Sequence, residues 1–589
     1  MLDSVFLLLG QNEKITNWFT PIWVISLGVS AGFLLTLIYV AMAYAISKIG
    51  GLNQIGGDRR SLMIGGSITG AILVGLAFVL PMYFLGWRNP DFKERTLGYM
   101  FLIPLLLLVG FGSWVAASKA RIDETIDLMR EGFLKYVSYI CLGMMSFAAI
   151  GLLLGLFSQF GMVQLVENPR AILHSLSRLP YSGLVRSPTF EIPPSPPGHS
   201  GDPIPIDMTG TEVRTILFHS NQLLDIASEP ITTVLNSERI FQVPSTSIDA
   251  PVVARPTGRI PDGRIDKLYV ANRGSNTAEL RIVWYVAPAY PEVNVIPRIA
   301  VWVSGFFVLT LCGLILMPKI SAISLSTFKT EIGQPLFMLV LLLGAVFVVL
   351  SIYVPYNTFG EDIKMYKDSG LTLIRVLAIF TAIWAASKSV SEEIEGRTAL
   401  TVLSKPVGRR EFIIGKFFGI STAMALLFIA LGLWFVIWVS YKPVYDAVET
   451  SENNVQWADC FSQAYGVIPA LVLGFLEVVV FVALSVAIST RFGILANLMI
   501  CFSIYVLGHL TPQMVQSNQL VQAFEPVVFF GQVVSIIFPV LDHFDAQAAI
   551  NTNRDIPLDY LGWSCVYTML YGSMALLLAL VLFEDRDLA

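Results

Sequence analysis

Uncharged apolar runs of about 20 residues, the length a helix needs to cross hydrocarbon, recur along this chain. Backbone in lipid must satisfy its own hydrogen bonds, which leaves helices or closed barrels as the spanning structures. The runs lie at 21–46, 62–86, 97–118, 136–158 and 299–317, and again at 335–354, 371–388, 412–440, 467–490, 492–511 and 560–583. They predict a polytopic α-helical membrane protein with about 11 transmembrane helices. Charged residues make up 14% of the 589, against roughly 25% in soluble domains. The net charge of -5 gives no basic field of the kind that draws nucleic acid.

The five cysteines, Cys141, Cys312, Cys460, Cys501 and Cys565, are scattered and form no C-x-x-C pair, so no disulfide framework or redox site is expected. The opening MLDSVFLLLGQNEK has neither a basic n-region nor a small-residue cleavage site. The first span is therefore expected to serve as the insertion signal.

Residues 159–296 interrupt the apolar runs with a polar, proline-bearing stretch too long for a connecting loop. In ELRIVWYV at 279–286, Leu280, Ile282, Trp284 and Val286 alternate with Arg281, Val283 and Tyr285. A preceding KLYVA is joined to it by the turn-rich NRGSNT, and further short strands are expected around Val213–Phe218 and Ile240–Val243. The pattern predicts a sandwich-like β-rich domain. If the N-terminus is outside, inner segments carry about twice as many Lys and Arg as the short outer ones. That distribution places the β-rich domain outside the cytoplasm and the C-terminus inside. Residues 523–541 are apolar, but Glu525, Pro526 and Pro539 favour an interfacial or re-entrant segment over a further span.

The most charged short segment between two spans is 388–416, KSVSEEIEGRTALTVLSKPVGRREFIIGK. Glu392, Glu393 and Glu395 extend the preceding span as a helix, which Gly396 can end in a left-handed turn. Beyond Arg397, Thr398 can cap a short helix with Leu400 and Leu403 on one face, and Pro406 ends it. Glu411 and Phe412 restart the chain as the next span, with Arg409, Arg410 and Lys416 expected at headgroup level.

This ordered acidic, Gly-Thr, Leu-Leu, Pro-Val, Arg-Arg-Glu, Gly-Lys series resembles the loop between the second and third spans of ABC-2 type ABC transporter permeases. Glu392, Glu393, Gly396, Thr398, Leu400, Leu403, Pro406, Val407, Arg409, Arg410, Glu411, Gly415 and Lys416 match. Arg397 is an insertion and Gly408 replaces the usual Ser. The resemblance covers 326–589: STFKTEIGQP at 326–335 is similar to the elbow helix before the first span, FPVLDHFD at 538–545 to the segment before the last, and FEDRDLA at 583–589 to the tail. The nearest subgroup is the one named for multi-copper enzyme maturation.

The resemblance implies that Glu392, Glu393, Glu395, Gly396, Arg397, Thr398, Leu400, Leu403, Pro406, Arg409 and Arg410 form a coupling element docked on an ATP-binding subunit. The chain has no G-x-x-x-x-G-K-[ST] loop, since Gly415-Lys416 lacks the earlier glycine and is followed by Phe417. ATP and Mg are accordingly expected on the partner, with no cofactor on this chain and no enzymatic activity of its own. Paired family modules imply a homodimer of permeases with two ATPase subunits, in contact with membrane lipid and not with nucleic acid. The divisions are four N-terminal helices in 1–158, the β-rich domain in 159–296, a fifth helix and linker in 297–325, and the six-span module in 326–589.

Glu477 lies mid-span in LVLGFLEVVVFVALS. A carboxylate in hydrocarbon marks either a gating or substrate-path role or a neutral packing residue. Arg375, about five residues into its span, is expected to snorkel outward. His509, His543, Asp545 and Met514 match no ligand spacing, so no metal site is expected and the histidines read as solvated surface. The pairs Gly28/Gly32, Gly66/Gly70 and Gly151/Gly155 have the spacing that lets helices approach closely. H-E-x-x-H and G-x-S-x-G are absent, which removes an intramembrane hydrolase.

The reading is a permease subunit coupling a separate ATPase to export, in a bacterial cytoplasmic membrane with the N-terminus outside. The alternative is a non-transporting scaffold that passes ATP-driven motion to envelope partners through its outer domain.

Overall fold

A computed structural model describes residues 12–47, 68–70, 72, 126–157, 165–179, 183–196, 203–209, 212–227, 240–243, 264–354, 361–395, 408–449, 455–516, 538–552 and 556–584. The expected spans at 62–86 and 97–118, apart from four residues, lie outside the described residues, as do Gly66, 523–537 and the tail after 584. The chain forms two compact units, one made mainly of helices and one containing 168–295.

The helical unit contains α1 (Asn12–Ser47), α2 (Gly132–Phe157), α4 (Val295–Leu316), α5 (Pro318–Ile332), α6 (Pro335–Leu350), α7 (Asp362–Ala386), α8 (Glu392–Glu395), α9 (Arg409–Glu449), α10 (Trp457–Ser489), α11 (Ile494–Gln516), α12 (Gln547–Thr552) and α13 (Leu558–Glu584). Among the described residues eight helices are long and apolar enough to cross a membrane, and Ile494–Leu510 in α11 is a shorter apolar one. The eight correspond to eight of the runs read from sequence, with α11 at a ninth.

Their core includes Phe412, Ile420, Leu427 and Phe435 of α9 with Val478, Phe481 and Val482 of α10, all buried. Glycines set the closest approaches. A Cβ on Gly28 would lie 2.8 Å from that of Ile299, and one on Gly32 would lie 2.5 Å from the Ala300 carbonyl. The first expected small-residue pair thus seats α1 on α4. Gly151 meets the Trp23 ring. The elbow is longer than the sequence suggested, running from Pro318 to Ile332, because Pro318 opens it and Gly333 and Pro335 separate it from α6.

The second unit contains the helix α3 (Pro169–Arg178) and two antiparallel sheets of four strands. One pairs β8 (Ala278–Val286) with β4 (Val213–Ser220) on one edge, and with β1 (Gly183–Arg186) and β2 (Phe190–Ile192) in succession on the other. The other has the order β3 (Pro203–Thr209), β7 (Arg264–Asn272), β5 (Leu224–Ala227), β6 (Ile240–Val243). Leu280, Ile282 and Trp284 are buried and Glu279, Arg281 and Tyr285 exposed, as alternation requires; Val283 is buried as well. They pack with Phe218, Ile226, Leu268 and Val270 in one core. The NRGSNT turn does not close a hairpin: it carries the chain from one sheet to the other. Asn272 holds that corner, its side-chain amide donating to the carbonyls of Ile192 and Asn276 while its oxygen accepts from the Gly274 N–H.

Candidate functional site

The loop singled out in the sequence is held at both ends. On its N-terminal side α7 passes without a break through a π-helical turn, Ser387–Ser391, into α8, so Glu392, Glu393 and Glu395 do extend the span as a helix. The wide turn is tied down by Asn497 of α11. Its amide donates to the hydroxyls of Ser387 (2.7 Å), Ser485 (2.7 Å) and Ser489 (2.9 Å), and its oxygen accepts from the Cys501 thiol. Ser387 of the turn, Ser485 and Ser489 of α10 and Cys501 of α11 are all buried, and π-turns of this kind concentrate at functional sites.

On the C-terminal side α9 begins with Glu411 accepting from the Gly408 N–H at 2.9 Å and lying 3.4 Å from Lys319 of the elbow. Arg409 donates to the Glu584 carbonyl at 2.9 Å and lies over the Phe583 ring, which Phe412 also stacks on. Arg409 thus caps the last helix, where the orphan carbonyls attract a cation. Arg410 is exposed. Gly396, Arg397, Thr398, Leu400, Leu403 and Pro406 lie outside the described residues, and of Glu395 only the helical backbone is described.

Lys416 is buried within the helical unit, and its ammonium meets the Glu393 carboxylate at 2.5 Å. Beside it, Gly415 and Gly419 let the elbow settle directly on α9: a Cβ on Gly415 would be 2.7 Å from that of Ile323, and one on Gly419 would be 2.8 Å from the Ser324 carbonyl. Glu331 of the elbow is buried next to this pair and accepts from the Gln334 amide at 2.8 Å. Burial pushes its carboxyl up to about 8, with Lys416 and Lys388 pulling the other way. Glu331 was not singled out in the sequence, because a single Glu in an amphipathic helix reads as its solvated face.

Near the middle of α7, two isolated intramembrane charges meet. Arg375 does not snorkel outward: it donates to fully buried Glu477 at 3.1 Å. Carboxylate and guanidinium in hydrocarbon each need a partner, and the pair supplies it. His509 is likewise not solvated surface; its ring packs 4.5 Å from Tyr505 and its Nε2 lies 3.9 Å from Glu477. Arg375 lines a small cleft with Asp368, Thr372, Asp545 and Gln547, walled by Phe428 and Phe544. No three His, Cys, Asp or Glu side chains converge as metal ligands among the described residues.

Residues 296–588 match the family model described as ABC-2 family transporter protein. The match spans the C-terminal half of the chain. Its boundary falls at the start of α4, so the match takes in α4, the elbow and every helix that holds the loop. With the apolar helices, the ABC-2 match supports a multi-pass membrane permease, and permeases of this family normally partner with an ATP-binding subunit. No curated protein matches the chain.

Proposed function

We propose that this chain is the membrane-spanning subunit of an ABC exporter, in which a separate ATPase drives the ABC-2 module through the loop 396–407. The observation that carries the reading is the anchoring of that loop in a chain matched to the family over 296–588. Its first end is joined to α9 through Glu393 and Lys416, and its second to the elbow and the last helix through Glu411 and Arg409. A push on the loop is therefore delivered to α7, α9, the elbow and α13 together, which is what a docking element must do to rearrange a bundle.

On this reading Leu400 and Leu403 enter the ATPase groove, ATP and Mg stay on that partner, and two copies of the permease assemble with two ATPases. The β-sandwich stands outside a bacterial cytoplasmic membrane, with the N-terminus outside and the C-terminus in the cytoplasm. The test is isolation of the permease from its own membranes with its partners. An ABC ATPase at stoichiometric amount, lost when Leu400 and Leu403 are both replaced by Asp, supports the reading; an intact permease with no ATPase in any preparation contradicts it.

A further inference from the structure

The contact between Glu477 and His509 lacks a hydrogen. The His509 Nδ1 lies 3.1 Å from the Tyr505 carbonyl, an atom that only accepts, so Nδ1 carries the ring proton. In a neutral ring Nε2 is then a lone pair, and it faces the Glu477 Oε1 at 3.9 Å, with neither atom hydrogen bonded. Two buried acceptors confront one another with no donor between them. The other oxygen of Glu477 is taken by Arg375, whose own Nε is buried without a partner. Orphaned buried polar atoms are rare enough to need a cause, and three of them converge here on one spot.

From this geometry we propose that Glu477 and His509 form a proton-binding site that joins α10 to α11, supplied through the cleft over Arg375. One proton taken from solvent, held by Nε2 or by Oε1, turns the opposed acceptors into a donor and an acceptor. Closing 3.9 Å to a hydrogen bond draws the helices together by about 1 Å. The charged and titratable groups around the pair are Arg375 and Asp368 on α7, Tyr505 on α11, and Asp542 and Asp545 in the segment 538–552. Asp368 and Asp545 line the same cleft as Arg375, whose guanidinium in turn holds Glu477, so polar groups lead from the cleft to the partner of the pair. The site is distinct from the loop 396–407, since Arg375 lies at the middle of α7, ahead of the π-turn Ser387–Ser391 that leads to the loop. Its occupancy sets how α11 sits against α10, whatever drives the module.

The test uses the full-length permease alone in lipid nanodiscs, without ATPase, so that its outcome is separate from that of the ATP-coupled reading. Nitrogen-15 spectra of labelled histidines are followed between pH 5 and 9, with His509→Gln identifying the signal. The expected result is a titration of the His509 Nε2 that Glu477→Gln abolishes or moves by at least one pH unit, because the amide donates to Nε2 without a proton from solvent. An unchanged titration in Glu477→Gln overturns the proposal. Should that variant fail to assemble, the wild type decides: the His509 nitrogen and the Glu477 carboxyl carbon must share their titration midpoints, as coupled groups do. Independent midpoints overturn the proposal.

Discussion

The Lys416 ammonium and the Glu393 carboxylate meet at 2.5 Å across 23 residues of chain, joining the helix that enters the loop to the helix that leaves it. The lysine side chain is 8% exposed and the glutamate 33%, so removing the glutamate strands a buried cation, whereas removing the lysine leaves a carboxylate that water can reach. Glu393→Gln is therefore expected to be more damaging than Lys416→Met. A double-mutant cycle on thermal unfolding should give a coupling of about 1–3 kcal/mol. Additive effects would show that the pair does not tie the loop.

The elbow depends on backbone-to-backbone proximity at Gly415 and Gly419. Gly419→Leu must displace the Ser324 carbonyl, which no rotamer change relieves, and overpacking of this kind costs about 1–3 kcal/mol. The expected outcome is a lower midpoint of unfolding and lost cross-linking between cysteines introduced on α5 and α9. Gly466, with no atom within 4 Å of an added Cβ, serves as the control, and Gly466→Ala should behave as wild type.

Much of this was legible before any coordinates, and what was not legible has a common cause. Period-two alternation from Leu280 to Trp284 and uncharged runs of spanning length are local signals, and strand and helices formed where they pointed. The acidic run before Gly396 continued the span for the same reason. Arg375 and Glu477 are 102 residues apart, and their meeting depends on the relative depth and rotation of α7 and α10, which no local pattern encodes. Read singly, Arg375 suggests a snorkelling anchor, and Glu477 leaves a gating role and a neutral packing role both open. Two lone opposite charges in separate spans were the available signal, since each needs a partner in lipid. Asn497, a lone amide in an apolar run, gave the same kind of signal for the serine cluster around the π-turn.

Glu331 makes stability depend on pH. Its folded carboxyl sits near 8 and its unfolded one near 4.5, so the folded state holds the proton more tightly. Stability then falls as pH rises from about 4.5 to about 8 and levels above that, by a few kcal/mol at most. Glu331→Gln should match wild type below pH 4.5 and exceed it at pH 8.5. A variant no more stable than wild type at pH 8.5 would show that Glu331 is ionised without penalty.

Topology is open to a direct check. In a background without native cysteines, Ser237→Cys should react with a membrane-impermeant thiol reagent in cells whose outer barrier is opened, and Ser404→Cys should not. The reverse pattern would put the loop on the side away from ATP.

The central claim is that residues 396–407 dock the ATPase, and the most direct measurement is recovery of that ATPase with permease variants of the loop. Gly396→Val opposes a left-handed turn by about 1–2 kcal/mol, and replacing Leu400 and Leu403 together by Asp removes the apolar face. Both variants are expected to reach the membrane in wild-type amount and to lose the ATPase on purification, or to hydrolyse ATP without moving substrate. Full retention of the ATPase and full activity in both would contradict the account.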